Sequence, residues 1–275
     1  MKMILSLLGG LALSAGLTAA EPFNLVTYNI RFAASGDKGT RSWDARKATV
    51  VKYLEESKAE IFGLQEALEH QLVFIDAAMS DFQFMGVGRD DGKKKGEYSP
   101  IFYHSKKWTP DPKEQGTFWL SETPSVPGSM SWGNQIPRVC SWARFVSTDG
   151  KALYVYNTHW DHQSQPSREK AAELILARIV KRTHSEEPVI LMGDFNAMTN
   201  NPAIKTLLKS GILRDPGGAE QHLSFNLWKP ELVSGLRIDH LFTTAGVKAG
   251  KLEVEANGDP VGADHHPVIL RDVKF

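Results

Sequence analysis

The chain has 275 residues, 41% hydrophobic and 23% charged. That composition fits a globular protein with a sizeable core and argues against overall disorder. Lys plus Arg equals Asp plus Glu at 32 each. A balance near zero argues against a protein held to nucleic acid by a broad basic surface, because non-specific phosphate affinity needs many cationic contacts. It leaves room for local recognition of a phosphate. A single cysteine, Cys140, excludes an intramolecular disulfide framework and any CxxC metal or redox pair.

Residues 1–20 read as a secretory signal. Lys2 supplies the positive start, Ile4 to Leu17 is an apolar run broken only by small residues, and Thr18-Ala19-Ala20 offers a cleavage site before Glu21. The run is shorter than the ~20 apolar residues a spanning helix needs. The expected product is a secreted or periplasmic domain of residues 21–275, free of stable membrane insertion. Loss of Lys2 leaves it with one net negative charge.

The mature chain alternates strands and helices. Phe23 to Ile30 has strand alternation. Ser42 to Glu56 is expected to be a helix capped by Ser42, with Val50, Val51 and Leu54 on one face. A short buried strand is expected at Ile61 to Gln65, a helix over Leu68 to Met79, a strand from Phe82 to Val87 and another at Ile101 to Tyr103. The segment from Thr109 to Val139 carries five prolines and reads as a loop-rich excursion around one strand, Thr117 to Leu120. Ser141 to Val146 and Ala152 to Asn157 pair as a hairpin through Asp149-Gly150. Ser167 to Thr183 is the clearest helix, with Ser167 as its cap and Leu174, Ile175, Ile179 and Val180 as its apolar stripe. A buried strand at Pro188 to Met192, a short helix at Asn201 to Lys209, and strands at Ile238 to Phe242 and Val268 to Val273 complete the order. Such an order predicts a layered α/β domain around a buried pair of sheets.

The chemistry sits where strands end. Asn29 closes the first strand, and Gln65-Glu66 follows the one at 61–65. The strand at 152–157 delivers Asn157-Thr158-His159-Trp160-Asp161-His162, and the one at 189–192 delivers Gly193-Asp194-Phe195-Asn196. Arg237-Ile238-Asp239-His240 and Ala263-Asp264-His265-His266-Pro267-Val268 add two more segments. Acids and amides gathered from distant strand ends suit a hard cation such as Mg²⁺, which takes oxygen ligands in octahedral geometry and needs no compact sequence cage. The spacing excludes a helical His-Glu-x-x-His zinc site.

These six segments, in this order, resemble the endonuclease/exonuclease/phosphatase superfamily. Gly193-Asp194-Phe195-Asn196 and Asp264-His265-His266-Pro267-Val268 carry most of the likeness. Gly88-Arg89-Asp90-Asp91-Gly92, Ser99-Pro100-Ile101-Phe102-Tyr103 and Phe118-Trp119-Leu120-Ser121 draw it toward secreted bacterial members of unassigned substrate. The resemblance implies a four-layer α/β sandwich, two packed mixed β-sheets flanked by helices, and phosphoester hydrolysis dependent on Mg²⁺ or Mn²⁺. It implies Glu66 as the main metal carboxylate, with Asn29 and Asp264 near the same ion. Asp194 would align or deprotonate the attacking water, and Asn196 would hold that water or a phosphate oxygen. His265 would act as base or charge stabiliser with its tautomer set by Asp239. The choice of base between Asp194 and His265 stays open.

His159 would help stabilise the developing charge or protonate the leaving oxygen, and Tyr103 stands where some members place a phosphate-contacting hydroxyl. Arg89, Arg138, His162 and Arg168 are further candidates for phosphate or substrate contact. Asp161 departs from the family pattern, since a cationic residue is frequent there; it is expected either to bind a second metal or to bond a loop. A phosphodiesterase or nuclease activity is the expected function. The alternatives are a phosphomonoesterase on a sugar, inositol or nucleotide phosphate, and a catalytically silent binding protein.

Overall fold

In the computed structural model, which describes residues 21–218, 223–229, 231, 235–256, 258 and 260–275, eleven strands and four α-helices stack in layers. The expected leader at 1–20 lies outside the described residues. Strands β1 (Phe23–Asn29), β2 (Ala59–Gln65), β3 (Phe82–Met85), β4 (Ile101–His104), β10 (Leu252–Val254) and β11 (Val268–Val273) form one mixed sheet in the order β10-β11-β1-β2-β4-β3. Strands β5 (Trp108–Trp119), β6 (Val139–Ser147), β7 (Ala152–His159), β8 (Val189–Asp194) and β9 (Asp239–Thr243) form the other, in sequential order. Helices α1 (Trp43–Glu56) and α2 (Glu69–Ala78) cover the first sheet, and α3 (Gln165–Val180) and α4 (Pro202–Lys209) cover the second. This is the four-layer α/β sandwich. Among the described residues, no helix is long and apolar enough to cross a membrane.

Side chains on a strand alternate between faces, so each strand feeds two layers. Leu25, Ile61, Val155, Ile190, Met192, Leu241 and Val268 fill the space between the sheets. Their neighbours one position along, such as Val26, Phe62, Tyr154, Leu191 and Phe242, pack against the helices. The inward parity continues to the strand ends. Asn29 follows Leu25 by four positions, Gln65 follows Ile61, Asn157 and His159 follow Val155, Asp194 follows Met192, and Asp239 precedes Leu241 by two.

β1 and β2 run parallel, as do β7 and β8, while β11 and β9 enter antiparallel. The C-terminal ends of four strands and the N-terminal ends of two others therefore reach the same rim of the sandwich. Two polar side chains stitch the sheets together just below it. Gln65 Nε2 donates to Asn157 Oδ1 at 2.6 Å, and Asn157 Nδ2 donates to the carbonyls of Leu64 and Pro100. Gly63 makes that approach possible, since a Cβ there would lie 2.6 Å from the Asn157 side chain.

Several local expectations change. Ser42 precedes α1, but its hydroxyl donates to the Gly39 carbonyl and accepts no helix N–H. The cap of α3 is Ser164, whose hydroxyl accepts from the Ser167 N–H, so Ser167 lies inside the helix. The proline-rich start of the 109–139 excursion belongs to β5. Pro110 and Pro112 are accommodated because β5 is an edge strand with a register break between Pro110 and Gln115. β10 has no counterpart in the sequence expectations; at three residues it is too short to show periodicity.

Candidate active site

Backbone strain marks the rim. Glu66 follows β2 with φ +60°, Asn196 follows β8 with φ +46°, and Arg31 follows β1 with φ +56°. Non-glycine residues rarely take such values, and they persist only where the surroundings hold them. The turn at Glu66 swings its carboxylate back beside Asn29. Gly193 within β8 has φ +149°, and a Cβ there would run into the Thr158 carbonyl. Glycine is required to keep β7 and β8 in register up to Asp194.

The Asn29 amide donates to two carboxylates, Glu66 Oε1 at 3.1 Å and Asp194 Oδ2 at 3.0 Å. The Asn196 N–H donates to Asp194 Oδ1 at 2.8 Å. Asp239 Oδ2 stands 2.8 Å from His265 Nδ1, so that nitrogen carries the proton and Nε2 faces Asp194 Oδ2 at 3.9 Å. His159 flanks Asp194 on its other side, with Nε2 3.5 Å from Asp194 Oδ2. The structure thus gathers Asn29, Glu66, Asp194, Asn196, His159, Asp239, Asp264 and His265 into one cluster.

Burial shapes the protonation of this cluster. Desolvation pushes the Asp194 carboxyl up to about 7, with nearby Asp239 adding to the rise. Desolvation alone would lower His265, but contact with Asp239 and the charges of Asp194 and Asp264 win and raise it to about 10. His159 is held well below its usual range, first by burial and then by the positive charges of Arg138 and Arg89. The result is a buried carboxyl poised near neutrality between a cationic and a neutral imidazole.

Two groups of residues could hold a metal. Glu66 and Asp264 both face the Arg31 guanidinium, at 3.8 Å and 4.0 Å. Burial raises the pKa of Asp264, with repulsion from Glu66 adding to it, and Asp264 Oδ1 is buried with no hydrogen-bond partner. Two facing carboxylates with an unsatisfied oxygen and a neutral amide beside them are a donor set suited to a hard divalent cation. The second group is Asp194, Asp239 and His265, whose ligand atoms lie within 4.8 Å of one another.

The remaining candidates divide. Arg89, Arg138 and His162 form a polar patch next to His159. Arg89 pairs through two nitrogens with Glu97, Arg138 lies 3.5 Å from Asp161, and His162 Nδ1 meets Arg138 at 2.9 Å. Arg168 is committed to Gln165 and the Asp161 carbonyl, so it organises the start of α3. Asp161 bonds a loop, accepting from the Gln163 and Ser164 N–H groups. Tyr103 is a correction. It pairs with Ile61, far down β2 from Glu66, donates its hydroxyl to Gln83 at 2.9 Å and packs on Phe145 in the core between the sheets. The rim-facing end of β4 is its start, after Ser99-Pro100, so Tyr103 points away from the cluster.

Sequence reasoning overlooked three residues. Arg31 sits among Asp37, Glu66 and Asp264. Arg46, buried on α1, donates to the carbonyls of Ile30, Arg31, Phe32 and Gly262 and so fixes the turns that carry Arg31 and Asp264. Ser224 receives the Ile238 and Asp239 N–H groups at the head of β9. An arginine on the inner face of an amphipathic helix was a readable signal for Arg46; nothing local marked the other two.

Known proteins extend the picture. A structure of an endonuclease/exonuclease/phosphatase family protein from Bacteroides thetaiotaomicron matches 93% of this chain and all of its own, with 31% identity and a TM-score of 0.85. A mannosyl-6-phosphatase of Bacteroides thetaiotaomicron matches 92% of this chain and all of its own, with 32% identity and a TM-score of 0.85. A UPF0294 protein of Vibrio cholerae is 28% identical over 137 residues, and the chain spans about half the length of that curated relative, 46%. The Endonuclease/Exonuclease/phosphatase family pattern covers residues 26–265, which include every residue of the cluster. With that match and that fold, the chain belongs to the Endonuclease/Exonuclease/phosphatase family.

Proposed function

We propose that this protein is an exported, divalent-cation-dependent phosphomonoesterase acting on a small phosphorylated metabolite of the sugar-phosphate kind. One observation carries the choice of substrate. The arginines beside His159, Arg89 and Arg138, are sunk to 9% and 3% exposure and matched by Glu97 and Asp161. A nucleic-acid diesterase needs an open groove with unpaired cations along it. A paired, enclosed patch suits one small substrate. The mannosyl-6-phosphatase likeness supports this reading over the diesterase expectation, and the apolar leader supports export.

Glu66, Asn29 and Asp264 would hold the cation, which when bound supplies Lewis-acid polarisation of the phosphoryl group and offsets its developing charge. The protein's own groups do the rest. Asp194, its two oxygens oriented by the Asn29 amide and the Asn196 N–H, takes the proton of the attacking water. His265, its Nδ1–H held by Asp239, presents Nε2 to the phosphoryl oxygens as a cationic donor. As the water oxygen bonds to phosphorus and the ester P–O bond breaks, His159, neutral and with Nε2 3.5 Å from Asp194, relays the proton that Asp194 has taken to the leaving oxygen, which departs as the alcohol. The complete set of groups argues against a silent binding protein.

The test is a panel with Mg²⁺ or Mn²⁺: a hexose 6-phosphate, an aryl phosphate, a bis-aryl phosphate diester and single-stranded DNA. Monoester turnover should exceed diester turnover at least a hundredfold in kcat/KM. The reverse preference would defeat the monoesterase reading. Export is checked separately by sequencing the N-terminus of the exported protein, expected to begin at Glu21.

A further inference from the structure

Arg31 leaves the main chain at a point that several groups fix at once. Its φ of +56° is one that a residue with a side chain keeps only where contacts hold it. Asn29 Oδ1 accepts the Arg31 N–H at 3.0 Å, and the Arg31 carbonyl accepts from both Arg46 and Gln71. The next two N–H groups are held as well, Phe32 by Glu66 Oε2 and Ala33 by Gln71 Oε1. The guanidinium lies over the Phe32 ring, 4.7 Å from its centroid. Its place beside Glu66 and Asp264 is therefore built into the fold.

Three carboxylates surround that guanidinium, and it hydrogen-bonds to one. Arg31 Nε stands 3.2 Å from Asp37 Oδ2 and 4.0 Å from Asp264 Oδ2, while Nη1 is 3.8 Å from Glu66 Oε2. Nε carries a single proton. Asp37 takes it, and the contacts with Asp264 and Glu66 are too long for hydrogen bonds. Asp264 Oδ1 stays buried and without a partner. Three negative charges against one positive leave two, the charge of one divalent cation.

We propose that Asp37 is a positioning residue for the cation site: by holding the Arg31 guanidinium it keeps that charge from closing on Asp264 and Glu66, and the competition for Arg31 sets how tightly these two acids take a divalent cation. The proposal rests on the placement of the cation at Glu66, Asn29 and Asp264 above. Without Asp37, the Nε proton turns to Asp264 Oδ2, and a cation must displace a bonded guanidinium to enter. Without Arg31, the two acids lose their internal counter-charge, and an arriving cation meets less repulsion. Charges about 4 Å apart in a half-buried site interact strongly enough to change affinity severalfold.

The experiment is a calorimetric titration of the EDTA-stripped protein with Mn²⁺, with no substrate present. It compares the wild type, Asp37→Asn, Arg31→Gln and the double variant, in about 0.3 M KCl to screen charges that act from a distance. Asp37→Asn should weaken Mn²⁺ binding at least about tenfold, and Arg31→Gln should tighten it at least about threefold. The double variant should bind within about threefold of Arg31→Gln, because Asp37 then has nothing to hold. That dependence separates positioning from the plain loss of a negative charge near the cation, which would weaken binding equally with or without the arginine. Thermal melts confirm that each variant is folded, and Asp37→Ser and Arg31→Met repeat the cycle if a first variant is not.

A loss from Asp37→Asn of the same size in both backgrounds would reduce Asp37 to a distant charge and overturn the proposal. So would Arg31→Gln binding Mn²⁺ no more tightly than the wild type. Either result leaves the cation site itself standing. A wild type that takes up no Mn²⁺ would remove the cation reading, and the role of Asp37 with it.

Discussion

Asn29 and Asp194 lie on central strands of different sheets, 165 positions apart, and the amide of one stands 3.0 Å from the carboxylate of the other. The same amide reaches Glu66 at 3.1 Å. One neutral donor therefore holds two acids side by side, one on the expected cation side and one on the expected water side.

Replacing Asn29 tests that bridge. Asn29→Asp would set a third carboxylate against the two it now joins, and Asn29→Ala would leave both without their shared donor. Each should lower kcat/KM at least about a hundredfold, in line with loss of a buried, charge-assisted contact in a catalytic cluster. Steady-state kinetics and calorimetric Mg²⁺ titration measure the effect. A variant within threefold of wild type on both would show that the bridge is dispensable.

The 2.8 Å contact between Asp239 and His265 makes a second prediction. Asp239→Asn keeps the shape but no longer favours a protonated imidazole. Because contact with Asp239 raises His265 against the opposing pull of burial, the His265 midpoint in an NMR titration should move down. Turnover should fall about 10²–10³-fold in kcat with KM within about threefold, the pattern of an interaction made in the transition state. An unmoved midpoint would remove Asp239 from this role.

Metal dependence has two readouts, turnover and, without any substrate, melting temperature. EDTA should abolish activity, and Mg²⁺ or Mn²⁺ should restore it. The same ions should raise the melting temperature of the EDTA-treated wild type, since a ligand bound only by the folded state stabilises it. Glu66→Gln should show a much smaller rise. Full activity after exhaustive chelation is the result that would discard the cation.

His240, next to Asp239 in β9 but packed on Phe195 and Phe242, supplies a pH prediction. It is fully buried, donates from Nε2 to the Ala197 carbonyl and stacks on Phe242. Burial, with Arg237 adding, lowers its pKa from 6.5 to about 4. Between those values the unfolded chain binds a proton that the folded one refuses. The stability this residue contributes is whole above pH 6.5 and is lost as pH falls toward 4, by roughly 3 kcal/mol. His240→Phe should flatten that part of the acid limb in urea melts, while costing about 1 kcal/mol at pH 7.5 for the unpaired Ala197 carbonyl. An unchanged slope would show that other groups govern acid unfolding.

The strand character of β1, β7 and β8 was legible in the chain itself, from alternation in β1, a hairpin turn before β7 and an apolar run in β8, and in the structure Asn29, His159 and Asp194 share the inward parity of Leu25, Val155 and Met192. The six polar segments and their order were equally legible, and with them the family and the layered fold. Local chemistry was less reliable where two neighbours competed for one role. Ser164 and Ser167 both suit a helix cap, and only the path of the chain out of the Asp161 loop decides between them.

Tyr103 shows what strand identity leaves open. It was readable as a β4 residue, but the antiparallel pairing of β4 with β2 sets which end of β4 meets the rim, and that pairing puts Tyr103 opposite Ile61, in the core. Glu66 shows the converse. It lies one step past Gln65, where parity would turn it outward, and a left-handed turn at φ +60° brings it back beside Asn29. The chain by itself determines what lies along each strand and which face it favours, because that follows from a period of two. Strand direction, register and the conformation of single linking residues arise from contacts between distant segments, and these determined which polar groups share the cluster, which carry a partner already, and which wait for one.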